Sequence, residues 1–193
     1  MILDFKGEGV QKFRDYLWLF LISGFIVALD QYTKWLVRSN LSFTESWLPE
    51  QLQSLLPYMR IVYWHNTGAA FGLFQNGNVI FIILGFIVSG VIIYYYPHVS
   101  KEDWWLKLAL GLQLGGALGN LIDRLQYGHV IDFISVGAFP VFNVADSAIT
   151  VGTCILLLGI YLKERKIGQQ TKTAQHPDHS STVNTQNEAS KGE

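Results

Sequence analysis

Between Gly111 and Ser147 the chain reads GLQLGGALGNLIDRLQYGHVIDFISVGAFPVFNVADS, which sets Asn120, Asp123, Arg124, Asp132, Asn143 and Asp146 inside or against apolar sequence. Far upstream, Asp30 and Lys34 interrupt another apolar run. A carboxylate at the centre of a bilayer costs about 2.5 to 3.5 kcal/mol on insertion scales, so a membrane protein that keeps several has a use for them. Two carboxylates sharing a partly desolvated site cannot both ionise easily; one holds a proton while the other does not. That pairing suits peptide hydrolysis. The ionised partner takes a proton from a water attacking the amide carbonyl, and the protonated partner donates to the carbonyl oxygen and then helps the amine leave. No rival nucleophile stands out: there is no G-x-S-x-G, no Cys/His arrangement and no H-E-x-x-H, and the histidines are scattered.

The composition supports a membrane setting for this chemistry. Half of the 193 residues are hydrophobic, 15% are charged and 14% aromatic. A net charge of −1 gives no basic field for nucleic acid, and no Lys/Arg run is interleaved with aromatics. The single cysteine, Cys154, lies in an apolar run without a partner for a disulfide or thiolate metal site, and is expected to be a small buried hydrophobe. No metal or cofactor is called for.

The elements that must position these residues can be read in order. After Lys6, Lys12 and Arg14, residues 17–36 form a first span, interrupted only by Asp30 and Lys34. Asp30-Gln-Tyr-Thr-Lys34 stands where a signal peptide would carry small residues for cleavage, so an uncleaved helix is expected. Residues 40–78 are too polar to span and too long to be an idle connector. Within them Leu48, Leu52, Leu55 and Leu56 share one helical face, which predicts an amphipathic helix on the bilayer surface. Arg60-Ile-Val-Tyr-Trp64 is rich in β-branched and aromatic residues, and Asn66-Thr-Gly68 offers turn chemistry, so a small sheet or hairpin should follow. The segment from Arg60 to Phe74 is expected to contribute to a substrate clamp.

Further spans are expected at 79–96, 104–122 and 138–162, with a polar turn over 123–137. Gly111, Gly115, Gly116 and Gly119 would let helix backbones approach closely. The chain therefore reads as one membrane domain over 1–166 and a disordered tail over 167–193, since the tail has no aromatic residue and little apolar surface to bury. The tail's His176-Pro-Asp-His179 has metal-like spacing, but Pro177 breaks the helix such a site would use.

Lys6, Lys12, Arg14, Lys101, Lys163, Arg165 and Lys166 fall on one side of this topology; Arg38, Arg60 and Arg124 fall on the other. By the positive-inside rule both termini are cytoplasmic, and 40–78 and 123–137 face outward. At about 1.5 Å per helical residue, Asp30 then lies roughly 9 Å and Asp146 roughly 12 Å below the outer boundary, with Asp132 on the turn above. The polar groups converge at one depth. Plainer readings remain for some of them: Asp30 and Lys34 at i, i+4 could form only an intrahelical ion pair. Likewise, Asp123 and Arg124 could close the turn as a salt bridge.

Five stretches, in order, match a known pattern: Asp30-Gln-Tyr-Thr-Lys34, Asn66-Thr-Gly-Ala-Ala-Phe71, Gly115-Gly-Ala-Leu-Gly-Asn-Leu-Ile-Asp-Arg124, Val130-Ile-Asp-Phe133 and Phe142-Asn-Val-Ala-Asp146. Over about residues 15–163 the chain resembles lipoprotein signal peptidase, or signal peptidase II, a bacterial inner-membrane aspartic peptidase family. The resemblance implies that Asp132 and Asp146 are the catalytic pair. It implies that Asn66, Gly68, Asn120, Arg124 and Asn143 position substrate or support the pair, while Asp30, Lys34 and Asp123 hold the site together. It also implies four transmembrane helices with a small extracytoplasmic β-sheet and a surface helix, acting as a monomer among membrane lipids. The implied substrate is a prolipoprotein carrying diacylglycerol on its lipobox cysteine, cut just before that cysteine. A non-enzymatic proton or ion pathway is the alternative, since Asp and Asn in spans also serve relays; against it, the carboxylates gather at one end. The Gly-x-Gly-Asp motif of presenilin-type proteases is absent.

Overall fold

The computed structural model of the protein describes residues 5–56, 58–68 and 77–175. Its elements are α1 (Phe5–Asn40), β1 (Ser46–Trp47), a 3₁₀ turn (Glu50–Leu55), β2 (Met59–Asn66), α2 (Asn78–Tyr95), α3 (Trp104–Tyr127), β3 (Val130–Val136) and α4 (Val144–Gln175). Packing groups residues 1–156 into one unit, which holds the candidate site, and residues 157–193 into a second.

Among the described residues, three helices are long and apolar enough to cross a membrane, over Tyr16–Asn40, Asn78–His98 and Val144–Arg165. They carry large exposed side chains such as Phe20, Phe25, Ile80 and Phe86, a surface suited to lipid rather than water. α3 differs: Lys107, Gln113, Asn120, Asp123 and Arg124 lower its hydropathy, and it encloses nine buried residues, among them Leu114, Asn120 and Asp123. Its glycines explain how it is enclosed. A methyl group added at Gly111 would meet Ile22, at Gly115 Ile26 and at Gly119 Asp30, so α3 runs parallel to α1 at close range. Gly116 faces Ala145 and Ile149 while Gly152 faces Ala109, so α4 runs antiparallel to α3. Such small-residue seams let backbones approach where lipid supplies no hydrophobic drive. Leu19 and Leu114 form an apolar cluster with Ile92 and Tyr96 at the end of the bundle away from the carboxylates.

The small sheet is antiparallel in the order β1-β2-β3. β2 covers the expected Arg60–Trp64 stretch, but its partners are β1 and β3, and a register irregularity falls between Ile61 and Trp64. The rest of the expected clamp, 69–74, lies outside the described residues, as does His176-Pro-Asp-His179.

Four expectations need correction. The stretch 123–137 is no polar turn: α3 continues through it to Tyr127, stops at Gly128, whose φ of 76° closes a left-handed C-cap, and gives way to β3. β3 is buried along nearly its whole length, which hides the alternation that marks a half-exposed strand. α4 begins at Val144, not 138, because Phe142 is tied by backbone hydrogen bonds in both directions to Ile134. The leucines of 48–56 do not share an α-helix: Leu48 is buried ahead of a short 3₁₀ turn on which Leu52 and Leu55 are exposed. Finally, Cys154 is exposed, since α4 packs through the face bearing Ala145, Ala148 and Gly152. The helical course of α4 continues past Ile167 to Gln175.

Candidate active site

Asp132 lies in the middle of β3, across from Trp64 on β2, and is 1% exposed. Neighbouring Asn66, the last residue of β2, donates from Nδ2 to Asp132 Oδ2 at 2.9 Å. Asn143 donates from its own Nδ2 to Asp132 Oδ1 at 2.7 Å. Asp146 stands on α4, three residues after Asn143, and the two cap the helix reciprocally. The Asp146 N–H donates to Asn143 Oδ1 at 2.9 Å, and the Asn143 N–H donates to Asp146 Oδ2 at 3.2 Å. This is the geometry of a capping box, with an acidic side chain in the first turn where the helix dipole favours negative charge. Asn143 thus touches both carboxylates at once.

Asn120 on α3 binds the other oxygen, donating from Nδ2 to Asp146 Oδ1 at 2.8 Å. Its carbonyl accepts from Lys34 Nζ at 3.1 Å and from Asn143 Nδ2 at 3.1 Å. Lys34, 2% exposed, pairs with Asp30 at 2.8 Å and Asp123 at 2.9 Å. The i, i+4 pair on α1 therefore exists, but it belongs to a wider network. Asp123 pairs with Lys34 and does not close a turn with its neighbour Arg124. Arg124 instead reaches the Gly68 carbonyl at 3.4 Å and lays its guanidinium over the Phe81 ring at 4.9 Å, leaving Nε buried without an acceptor among the described residues.

A cavity of about 520 Å³ opens beside the pair, lined by Asn66, Gly68, Asn120, Arg124 and Asp146 together with apolar residues of 139–142. Asp146 faces this space and Asp132 lies behind it. A second cavity of about 370 Å³ between α2, α3 and α4 shares Phe81, Asn120, Arg124 and Ile149 with the first. Among the described residues, no group of three or more His, Cys, Asp or Glu side chains could hold a metal ion.

The two carboxylates do not sit in equivalent surroundings. Burial pushes the Asp132 carboxyl up to about 7, and the nearby charge of Asp146 adds to the rise, against the amides of Asn66 and Asn143 and the charge of Lys34. Asp132 therefore keeps a proton under conditions where an ordinary carboxyl has lost it.

All ten residues singled out in the sequence meet in one hydrogen-bonded set. The depth expected for Asp146 changes: in the first turn of α4 it lies only about 3 Å along the helix axis. Gln31 was given no role by the sequence, yet its Nε2 reaches Asp30 Oδ2 at 3.2 Å, Asp123 Oδ1 at 2.9 Å and the Gly119 carbonyl at 3.2 Å. Its signal was available, as an amide beside Asp30 in an apolar run. The backbone N–H of Ile131, which meets Asp123 at 3.0 Å, and that of Ala145, which meets Asp30 at 3.0 Å, carry no signal in residue type.

A family model described as signal peptidase (SPase) II matches residues 22–162. A lipoprotein signal peptidase of Shouchella clausii is 43% identical over 155 residues, covering 79% of this chain and 99% of its own. That of Pseudomonas syringae pv. tomato is 41% identical over 163 residues, covering 80% and 89%. A bacterial membrane enzyme solved by the in meso method at 2.3 Å resolution superposes with a TM-score of 0.69 at 29% identity, over 76% of this chain and 88% of that one.

Proposed function

The chain belongs to the signal peptidase (SPase) II family of aspartic peptidases, and from that premise we propose that Asp132 and Asp146 are the catalytic pair of a prolipoprotein signal peptidase. Its substrates are lipoprotein precursors carrying diacylglycerol on the lipobox cysteine, cut just before that cysteine. The observation that carries this reading is Asn143, whose hydrogen bonds to both carboxylates hold Asp132 directly behind Asp146, which lines the cavity. Family membership leaves the ion-pathway alternative without support.

The chemistry follows from the asymmetry of the pair. Asp132, buried and raised, is the protonated partner, which leaves the base's part to Asp146, facing the cavity and hydrogen-bonded by N–H groups. Asp146 takes a proton from water as its oxygen attacks the scissile carbonyl, and Asp132 protonates the carbonyl oxygen. When the tetrahedral intermediate collapses, Asp146 delivers its proton to the departing cysteine nitrogen and Asp132 recovers its own from the re-forming carbonyl. Asn66, Asn120 and Asn143 hold the carboxylates, and Arg124 with Gly68 borders the peptide's path.

The seam that sets α3 parallel to α1 and antiparallel to α4 supports α3 as a fourth span, despite its polar residues. Both termini are then cytoplasmic and the sheet lies outside the inner membrane, near the lipid-anchored cysteine. Leu52 and Leu55, exposed on the 3₁₀ turn, rest on the bilayer surface.

Purified protein should cut a diacylglyceryl-modified prolipoprotein before its cysteine and leave the unlipidated precursor intact. Folded Asp132→Asn and Asp146→Asn should each lose activity at least about 10³-fold. An inert wild type, or a folded variant retaining a tenth of the rate, would sink the assignment.

A further inference from the structure

Two aspartates outside the catalytic pair occupy matching positions. Asp30 Oδ1 accepts the backbone N–H of Ala145 at 3.0 Å, and Ala145 immediately precedes Asp146. Asp123 Oδ2 accepts the backbone N–H of Ile131 at 3.0 Å, and Ile131 immediately precedes Asp132. Lys34 Nζ joins these two aspartates, at 2.8 Å and 2.9 Å. A continuous polar path thus runs Ala145–Asp30–Lys34–Asp123–Ile131, from the backbone beside one catalytic carboxyl to the backbone beside the other. We propose that Lys34, Asp30 and Asp123 form a strut that sets the spacing of Asp132 and Asp146, with Lys34 as the positioning residue at its centre.

Three features go beyond what a buried ion pair needs for stability alone. Each terminal aspartate spends one oxygen on a backbone N–H of a different element, so the strut ties β3 and α4 together through α1 and α3. The third donor of Lys34 goes to Asn120 Oδ1, which together with Asn143 Nδ2 holds that amide so that its own Nδ2 points at Asp146. Were the ammonium absent, the amide could turn and present its oxygen to Asp146, removing a hydrogen bond and adding repulsion. Gln31 Nε2 spans the same two aspartates as a second, uncharged rung. α1 contributes no catalytic side chain; its part is to carry this brace. Close approach at Gly119, where any side chain would collide with Asp30, keeps α1 near enough for Lys34 to reach both carboxylates.

The inference rests on the catalytic pair proposed above, so its test includes a readout independent of cleavage. The variants are Lys34→Met, Asp30→Asn, Asp123→Asn and the Asp30→Asn/Asp123→Asn double, each in the full chain. Amide hydrogen exchange resolved by residue is measured alongside kcat, KM and the pH profile. Expected are faster exchange at Ile131 and Ala145, a fall in kcat of about 50-fold or more per folded molecule, and KM within about twofold. In Lys34→Met the alkaline limb should also move upward, since a positive charge that favours ionised Asp132 has gone. The double variant should be little worse than the poorer single, because both aspartates act through one ammonium. Should Lys34→Met fail to fold, Asp123→Asn retains the side chain's shape and answers the same question. Undisturbed exchange at both amides, or a kcat within twofold of wild type, overturns the strut. Perturbed exchange in a protein whose wild type cuts no lipoprotein would support the strut while defeating the functional reading.

Discussion

Asp132 is the residue whose chemistry depends most on its surroundings. Its carboxyl titrates near 7 instead of 3.8, chiefly because it is buried and next because Asp146 is close. As pH rises through about 7 the proton leaves and the general acid is lost, so kcat should fall about tenfold per unit above that point. The effect on stability has the same sense: a carboxyl raised above its unfolded value stabilises the fold below the unfolded pKa, and that contribution is lost as pH rises through about 7. Asn66→Ala removes a hydrogen bond that favours the ionised form, so the alkaline limb should move upward while kcat falls about tenfold, or about 1.4 kcal/mol. A pH–rate profile of folded Asn66→Ala checks both parts; a downward displacement would contradict the role given to the amide. Individual site residues were legible because Asp30, Asn120, Asp132, Asn143 and Asp146 each stand where apolar sequence makes a polar side chain costly. The order of proton ownership was not legible. It depends on how deeply β3 buries Asp132 and on Asp146 facing the cavity, both products of tertiary packing.

Among the elements, α3 decides whether the pieces meet. Its glycine face admits α1 on one side and α4 on the other, and the tightest point is Gly116, where a methyl group would strike the Ala145 carbonyl. Ala145 is the residue before Asp146, and a backbone carbonyl cannot swing aside as a flexible side chain can. Gly116→Ala should therefore force α4 off α3, costing about 1 to 3 kcal/mol of stability and at least about tenfold in kcat. Gly90→Ala on α2, where nothing lies within 4 Å, should change neither. Thermal unfolding in detergent and the cleavage rate test the pair together; equal behaviour of the two variants would mean that the seam does not set the site. Helices announced themselves through long apolar runs, whereas β3 did not. A strand buried on both faces lacks the period of two, and Asp132 within it made the stretch look like a turn. The start of α4 was misplaced for a related reason: Ala138 to Phe142 is apolar enough to continue a span, and only its pairing with Ile134 removes it from the helix.

At the scale of the whole molecule, the number of crossings fixes whether the termini share a side, and the direction of α1 fixes which side of the membrane the chemistry occupies. Composition alone supports three spanning helices, and three would put the termini on opposite sides. Packing argues for four. α3 lies beside α1 from Gly111 against Ile22 to Gly119 against Asp30, a shared rise of about 12 Å within a helix long and apolar enough to span. Three of the polar residues that lower the hydropathy of α3, Asn120, Asp123 and Arg124, point into the protein, toward Lys34, Asp146 and Gly68, and so cost little in lipid contact. Because α2 lies between them, the turn around Glu50–Leu55 and the loop around Ser100 must lie on opposite sides with three crossings or four, so they report the orientation. Replacing exposed Cys154 with alanine and introducing Ser54→Cys or Ser100→Cys gives two single-cysteine proteins that differ only in the side they report. A membrane-impermeant thiol reagent that can reach the outer face should label Ser54→Cys in intact cells and Ser100→Cys only after lysis. Labelling of Ser100→Cys before lysis would invert the orientation and place Asp132 and Asp146 at the cytoplasmic face. A diacylglyceryl-cysteine held in the outer leaflet could not then reach them.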